Sequence, residues 1–163
     1  MRKEISSSNI SFRILKESKG FLQLIIDDLS SCILILDREM RLYAFNNPIK
    51  TIFSNKPDEH LLYLRCGNAI GCAFAVEEIK ECGSTSRCAF CELREKALLA
   101  YVNRDNVYKG RIKREFYKTD FDKALKHLQF STRSFYFENE YYLFVIIDDI
   151  TPFELKDVDE KVF

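Results

Sequence analysis

The chain has no long hydrophobic run, no excess charge of either sign and only two histidines. No segment approaches the ~18 apolar residues that a membrane-spanning helix requires. The first twenty residues, "MRKEISSSNISFRILKESKG", lack the uninterrupted apolar core of a secretory signal. Lysine plus arginine number 25 and aspartate plus glutamate number 25, a formal net charge of zero. No field therefore draws the protein to nucleic acid or to an anionic membrane. No glycine-rich loop of the phosphate-cradling type is present among the five glycines. No serine, histidine and acid arrangement marks a nucleophile. The acidic pairs Asp27–Asp28 and Asp148–Asp149 fall at element ends, where caps and solvated turns account for them better than acid-base chemistry. The expectation is a cytoplasmic, non-enzymatic protein with no nucleic-acid or membrane partner.

With 47% hydrophobic and 31% charged residues over 163 positions, the composition is that of one soluble domain able to bury a core. Such a domain does not need disulfides to hold it together. Yet "RCGNAIGCAFAVEEIKECGSTSRCAFC", Arg65 to Cys91, gathers five of the six cysteines and three of the five glycines. In a reducing compartment, clustered thiols are more often metal ligands or redox groups than structural disulfides.

Along the chain, residues 1–12 read as a loose polar arm. Residues 13–30 read as a helix, with Leu15, Leu22, Ile25, Ile26 and Leu29 at three- and four-residue spacings. Gly20 costs that helix about 1 kcal/mol relative to alanine and can divide it in two. "CILILD", the turn "REM" and "RLYAFN" then predict a β-hairpin, and "NPIKTIF" a short helix with Pro48 in its first turn. After the cysteines, "CAFCELREKALLAYVN" has helical spacing, with Phe90, Leu93, Ala97 and Tyr101 on one side. Three strands follow: "YKGRIKREFYK", with Ile112 and Phe116 at even spacing, "LKHLQFSTRSFYF", and "YYLFVIIDDI", whose continuous apolar run suits a central position. "ENE" turns between the last two, where Asn139 tolerates positive φ. No internal repeat or low-complexity tract is present.

This order of elements, with "LIIDDLSSCILILDREMRLYAFNNP" near the start and "YYLFVIIDDITPFEL" near the end, resembles the PAS sensor domain. The first stretch matches a helix feeding a hairpin with an Asn after the second strand. The second contains the "DIT" signature at which PAS domains hand over to an output helix. Together they bracket about residues 22 to 155. The resemblance implies an α+β fold, a PAS-like five-stranded antiparallel sheet with helices on one face and an N-terminal helix. The domain proper then spans 31–155, with the cysteine-rich segment at 65–91 and a tail at 156–163. It also implies that the helical middle is where a cofactor or ligand is held.

The cysteine spacing is Cys66-x5-Cys72-x9-Cys82-x5-Cys88-x2-Cys91. Convergent thiolates suit tetrahedral zinc and iron–sulfur clusters equally well; packing without function and a reversible disulfide switch are the competing readings. Cys88 and Cys91, in the expected first turn of the helix running to Asn103, share one face, and the helix N-terminus favours their negative charge. Arg65, Arg87 and Arg94 are near enough in sequence to offset that charge. Gly67, Gly71 and Gly83 adjoin cysteines, as expected where the backbone turns sharply and its amides approach sulfur. Ser84, Thr85 and Ser86 offer an N-cap. The arrangement of Cys72, Cys82, Cys88 and Cys91 resembles a cysteine-containing insert of some bacterial PAS sensor proteins. That resemblance implies these four as ligands, with Cys66 as a spare thiol or alternate ligand, and places an iron–sulfur cluster ahead of zinc. The spacing departs from the CxxC…CxxC pattern of iron–sulfur PAS-type oxygen sensors, so the type of cluster stays open.

Cys32, inside a strand, reads as a small buried hydrophobe. His60 reads as a surface residue, although its position near the cysteines allows a mixed Cys/His site; His127 reads as structural or solvent-facing. Phe45, Phe53, Phe74, Phe130 and Phe144 suit an ordinary core or an apolar ligand pocket. The N-terminal stripe suits either the sheet or a second copy of the chain, and the resemblance favours a homodimer. Only "KDVDEKVF" follows "DITPFEL", so the expectation is that any signal passes by contact with another, unidentified signalling protein.

Overall fold

The computed structural model describes residues 19–54 and 56–154. Helix α1 (Lys19–Asp28) leads into the hairpin β1 (Cys32–Leu36) and β2 (Leu42–Phe45). Four short helices follow: α2 (Pro48–Ile52), α3 (Asp58–Leu61), α4 (Cys66–Ala69) and α5 (Ala73–Glu78). A 3-10 turn (Cys88–Phe90) then precedes α6 (Glu92–Val102), β3 (Tyr108–Tyr117), β4 (Lys123–Phe137) and β5 (Glu140–Asp149). The five strands form one sheet in the order β2-β1-β5-β4-β3, each neighbouring pair antiparallel. This is the expected α+β architecture, and the apolar run of β5 occupies its centre.

Strand alternation decides what the sheet buries. Cys32, Leu34 and Leu36 of β1, Leu128 and Phe130 of β4, and Leu143, Val145 and Ile147 of β5 all point to one face and are all buried. Against them lies α6, which packs across β3, β4 and β5. Its inward residues are Leu93, Ala97 and Ala100, and the two alanines let the helix approach closely. Each large aliphatic side chain removed from water contributes about 1.5–3 kcal/mol. Two hydroxyls from β4 then lock the helix in place: Thr132 Oγ1 donates to the Lys96 carbonyl at 3.1 Å, and Ser134 Oγ to that of Arg104 at 3.0 Å. Buried polar groups thus gain partners instead of a desolvation penalty.

Asn46 joins the hairpin to α1. Its side chain accepts from the Ile33 amide at 2.7 Å and donates to the carbonyls of Ile26 (2.8 Å) and Ser31 (3.0 Å). Of the expected stripe on α1, Leu22, Ile25 and Ile26 are half-buried, whereas Leu29 is exposed. The arm at 1–12, residues 13–18 of the expected helix and the tail at 156–163 lie outside the described residues. At the other end, Glu138 (φ 48°) and Asn139 (φ 65°) are both left-handed and close β4 onto β5 as a two-residue turn. Among the described residues, no helix is long and apolar enough to cross a membrane.

The helix expected to start at Cys88 starts instead at Glu92. Cys88–Phe90 is a single 3-10 turn, and Cys91, with φ −77° and ψ 112°, is extended and occupies the N-cap position. Cys88 and Cys91 therefore do not share a helical face, and Phe90, expected on one side of the helix with Leu93, Ala97 and Tyr101, precedes it and is 78% exposed. The reason is local. Thr85 Oγ1, which could have capped a helix, accepts from the Arg87 amide at 3.3 Å and lies 2.9 Å from Cys88 Sγ. That contact holds the segment in a turn wrapped around a sulfur. Phe144 also departs from expectation: it sits on the opposite sheet face, edge-on to Phe135, while Phe53 and Phe130 are ordinary core.

Candidate sulfur site

Two backbone attachments bring the cysteine segment onto the sheet, and a third bond, within the segment, folds it on itself. The Cys66 amide donates to the Met40 carbonyl at 2.8 Å, tying the start of α4 to the β1–β2 turn. The Cys72 amide donates to the Gly67 carbonyl at 2.8 Å, and the Tyr117 amide of β3 to that of Gly71 at 2.7 Å. Gly71 has φ +75°, and an added Cβ would stand 2.1 Å from the Tyr117 carbonyl oxygen. Only glycine fits there. Beyond Cys72, α5 is held to the sheet by Glu77, which accepts from Tyr117 Oη and Lys123 Nζ, both at 2.9 Å. It ends at Ile79, a β-branched residue in the left-handed region (φ 53°). The chain then doubles back as the loop that carries Cys82 and Cys88.

The result is a cavity of about 30 Å³ between this segment, α6 and β3, whose lining includes Cys66, Cys72, Cys82, Cys88 and Cys91. The fold thus brings together all four expected ligands and the alternate. Cys32 is buried in β1, behind Cys66 and within its electrostatic reach. His60 is on the surface. Among the described residues, no group of three or more His, Cys, Asp or Glu side chains could hold a metal ion as it stands. The thiols surround a cavity without closing on a point.

Their environments differ. Burial pushes the Cys66 thiol well above its usual value, and the neighbouring sulfurs of Cys82, Cys91, Cys32 and Cys72 add to that. Burial also raises Cys82, partly offset by a backbone hydrogen bond from Gly67; the sulfurs of Cys88, Cys91 and Cys72 raise it further. Cys88 goes the other way. Its burial is outweighed by the Thr85 hydroxyl, the amides of Gly83 and Thr85 and the charge of Arg94, so its thiol lies below the usual value. The Gly83 amide donates to Cys88 Sγ at 3.0 Å. Gly67 lies so close to Cys82 that an added Cβ would stand 2.8 Å from its Sγ.

Of the arginines expected to balance the sulfurs, Arg94 lines the cavity. Arg65 instead pairs with Glu81 at 3.5 Å, and Arg87 lies over the Phe74 ring at 5.9 Å. The cation that reaches furthest in was not expected from sequence. Arg114, on β3, donates from Nη1 to Cys91 Sγ at 3.2 Å and reaches Cys72 Sγ at 4.0 Å, with its guanidinium 5.3 Å from the Phe74 centroid. Burial opposes its charge, but the sulfurs of Cys91 and Cys72 outweigh burial and hold it protonated. The only sequence signal was a basic residue between Ile112 and Phe116 on the inward side of a strand.

The donor set suits a thiophilic group: soft sulfurs, two guanidinium groups and N–H donors aimed at sulfur, which together stabilise thiolate charge. To hold such a group the thiols would have to turn further inward.

No model of a known protein family matches the chain, and no curated protein matches it. Solved structures do. The PAS domain of nitrogen regulation protein NR(II) from Vibrio parahaemolyticus superposes with a TM-score of 0.54 at 9% identity, over 81% of this chain and 100% of that one. A PAS domain from Colwellia psychrerythraea gives 0.54 at 16% identity, over 85% and 98%. That of BvgS from Bordetella pertussis gives 0.51 at 17%, over 86% and 96%. The chain has the PAS fold, as the resemblance implied.

Proposed function

We propose that this chain is a sensory or signalling module of PAS type whose signal enters at the cysteine cavity, through an iron–sulfur cluster held by Cys72, Cys82, Cys88 and Cys91. One observation supports the choice of ligands: Cys72, Cys82, Cys88 and Cys91 line one cavity with Arg94 and Arg114, and Arg114 reaches the sulfurs of Cys91 and Cys72. Cys66 is 1% exposed and its thiol resists ionisation, which suits a spare or exchange ligand. A thiolate-held cluster supplies a redox-labile negative charge. The protein's part is to offset that charge with Arg94 and Arg114, to donate from Gly83 and Thr85 to Cys88, and to exclude water behind α6. Loss of the ligand set would free the loop from Lys80 to Cys91 and alter the packing of β3. Signalling is then by contact with another protein, or with a second copy through α1, rather than by catalysis, and a cytoplasmic setting fits the six free thiols.

A zinc site that folds the segment, within a protein-interaction module, is the second reading. The cavity volume favours it, because about 30 Å³ holds one ion without displacing the loop, whereas a cluster requires the loop to move outward. An apolar small-molecule site has less support, since Phe53 and Phe130 are filled core and Phe144 faces away.

The test is metal and sulfide analysis with a visible spectrum on protein purified without oxygen, followed by air. Stoichiometric iron and sulfide with absorption that bleaches in air support the cluster. Colourless protein with stoichiometric zinc, unchanged by air, supports the second reading. Protein free of both, or a Cys88→Ser/Cys91→Ser double variant that keeps its metal, rejects the site.

A further inference from the structure

Beyond the ligand set, we propose that Asn68 is a positioning residue for the sulfur site: from α4 it holds the backbone of Cys82, so that this sulfur meets the others across the cavity. The inference rests on reading the cavity as a thiolate-held metal site.

The sulfurs reach the cavity on two kinds of support. Cys66 opens α4 and Cys72 follows it, in a stretch fastened at Met40 and Tyr117. Cys91 caps α6, which packs across β3, β4 and β5. Cys82 and Cys88 instead ride on the loop that follows α5. Within that loop the Ser84 amide donates to the Glu81 carbonyl and the Cys88 amide to that of Thr85. Among the described residues, the hydrogen bonds that fasten residues 81–88 to α4 and α5 each involve a side chain. Glu78, the last residue of α5, accepts from the Ser86 amide at 3.1 Å and from its hydroxyl at 3.2 Å, both in contact with solvent.

Asn68 acts at the ligand residue itself. Its Oδ1 accepts from the Cys82 amide at 2.7 Å, and its Nδ2 donates to the Lys80 carbonyl at 3.3 Å. One donor and one acceptor on the loop thus match the two ends of one carboxamide. The preceding residue, Gly67, donates its amide to Cys82 Sγ and lies so close that an added Cβ would stand 2.8 Å from that sulfur. A single turn of α4, placed between Cys66 and Cys72, therefore grips Cys82 by main chain and side chain together. Asn68 holds the main chain alone, so the inward turn that ligation requires is a rotation about χ1 rather than a displacement of the loop. Groups that orient a ligand without touching the metal govern affinity about as strongly as this arrangement implies, by 10- to 100-fold.

The test uses Co(II) as the probe, added to reduced protein without oxygen, and reads alkylation by iodoacetamide through peptide mapping over time. In wild type, bound cobalt should shelter Cys72, Cys82, Cys88 and Cys91. In Asn68→Ala, Cys82 should be alkylated about tenfold faster, while Cys88 and Cys91 stay sheltered. Asn68→Asp, which keeps an oxygen for the Cys82 amide, should restore the wild-type pattern. Cys82 sheltered in Asn68→Ala as in wild type overturns the proposal, and so does exposure of all four thiols together, which is what a general loosening would give. A second measurement needs no metal. In metal-free protein, hydrogen exchange of the Cys82 amide should be about tenfold faster in Asn68→Ala, as expected for one lost hydrogen bond, with the amides of β4 and β5 unchanged. Wild type that takes up no cobalt counts against the proposed function; the exchange then decides alone whether Asn68 holds the loop, and an unchanged Cys82 amide overturns that. If Asn68→Ala does not fold, Asn68→Leu, similar in size but without hydrogen-bonding groups, takes its place in both measurements with the same outcomes.

Discussion

The amide of Tyr117 donates to the carbonyl of Gly71 at 2.7 Å, and this bond fastens the cysteine-bearing helices to the edge strand of the sheet. The approach is possible because residue 71 has no side chain.

Gly71→Ala should therefore cost about 3 kcal/mol, from the left-handed backbone and from the clash with Tyr117. Gly20→Ala is the control. Nothing lies within 4 Å of a Cβ there, and alanine should stabilise α1 by about 0.5–1 kcal/mol. Urea denaturation of both variants checks the pair; equal effects would refute the account of Gly71.

Asn46 is 2% exposed and serves one amide and two carbonyls. Asn46→Ala leaves all three short of a partner and should cost about 3 kcal/mol. Exchange of the Ile33 amide should rise with it, because that amide donates to the Asn46 side chain. Loss of global stability with an unchanged Ile33 amide would locate the effect elsewhere.

The thiols should react in an order set by their surroundings. In metal-free reduced protein at neutral pH, Cys88 should be alkylated by iodoacetamide before the other cysteines whose ionisation is shifted, since Thr85, Gly83 and Arg94 favour its thiolate. Cys66 and Cys32 should react last, because burial raises both, Cys32 to about 12. Peptide mapping over time reads the order. Early labelling of Cys66 would mean that the cavity is open to solvent.

Asp149 sets part of the acid response. Its burial opposes ionisation, but Thr151 and Lys126 outweigh this and hold the carboxyl below its ordinary 3.8. A group whose folded pKa is depressed adds stability that is present above the unfolded value and lost as pH falls through the folded one. Asp149→Asn should thus lower stability at neutral pH and flatten its fall below about pH 4. A variant whose acid limb matches that of wild type would show that the pair contributes nothing in solution.

Much of this molecule is legible in short stretches of chain. "YYLFVIIDDI" reads as a central strand and is one: it lies between β1 and β4, with Leu143, Val145 and Ile147 in the core and Phe144 and Ile146 half-buried on the other face. The turn at Asn139 and the Pro48 helix are equally local, since φ preferences act on single residues. The grouping of five cysteines within 65–91 is visible in the same way. The spacing predicts a helix from Cys88 because it continues the pattern of α6, whereas the contact between Thr85 and Cys88 that breaks the pattern is a property of the folded loop.

Amino-acid order alone thus specified the five strands, the hairpin and the clustering of thiols, which follow from periodicity and composition over a few residues, while the α+β sheet was implied by the resemblance to PAS domains. Folding in three dimensions chose which charges meet those thiols. Arg65 and Arg87, near in sequence, turn to Glu81 and Phe74, while Arg114 reaches Cys91 from 23 residues away. That choice depends on strand register and on the close approach at Gly71. Both are long-range constraints, satisfied only when the sheet, α6 and the cysteine segment pack together.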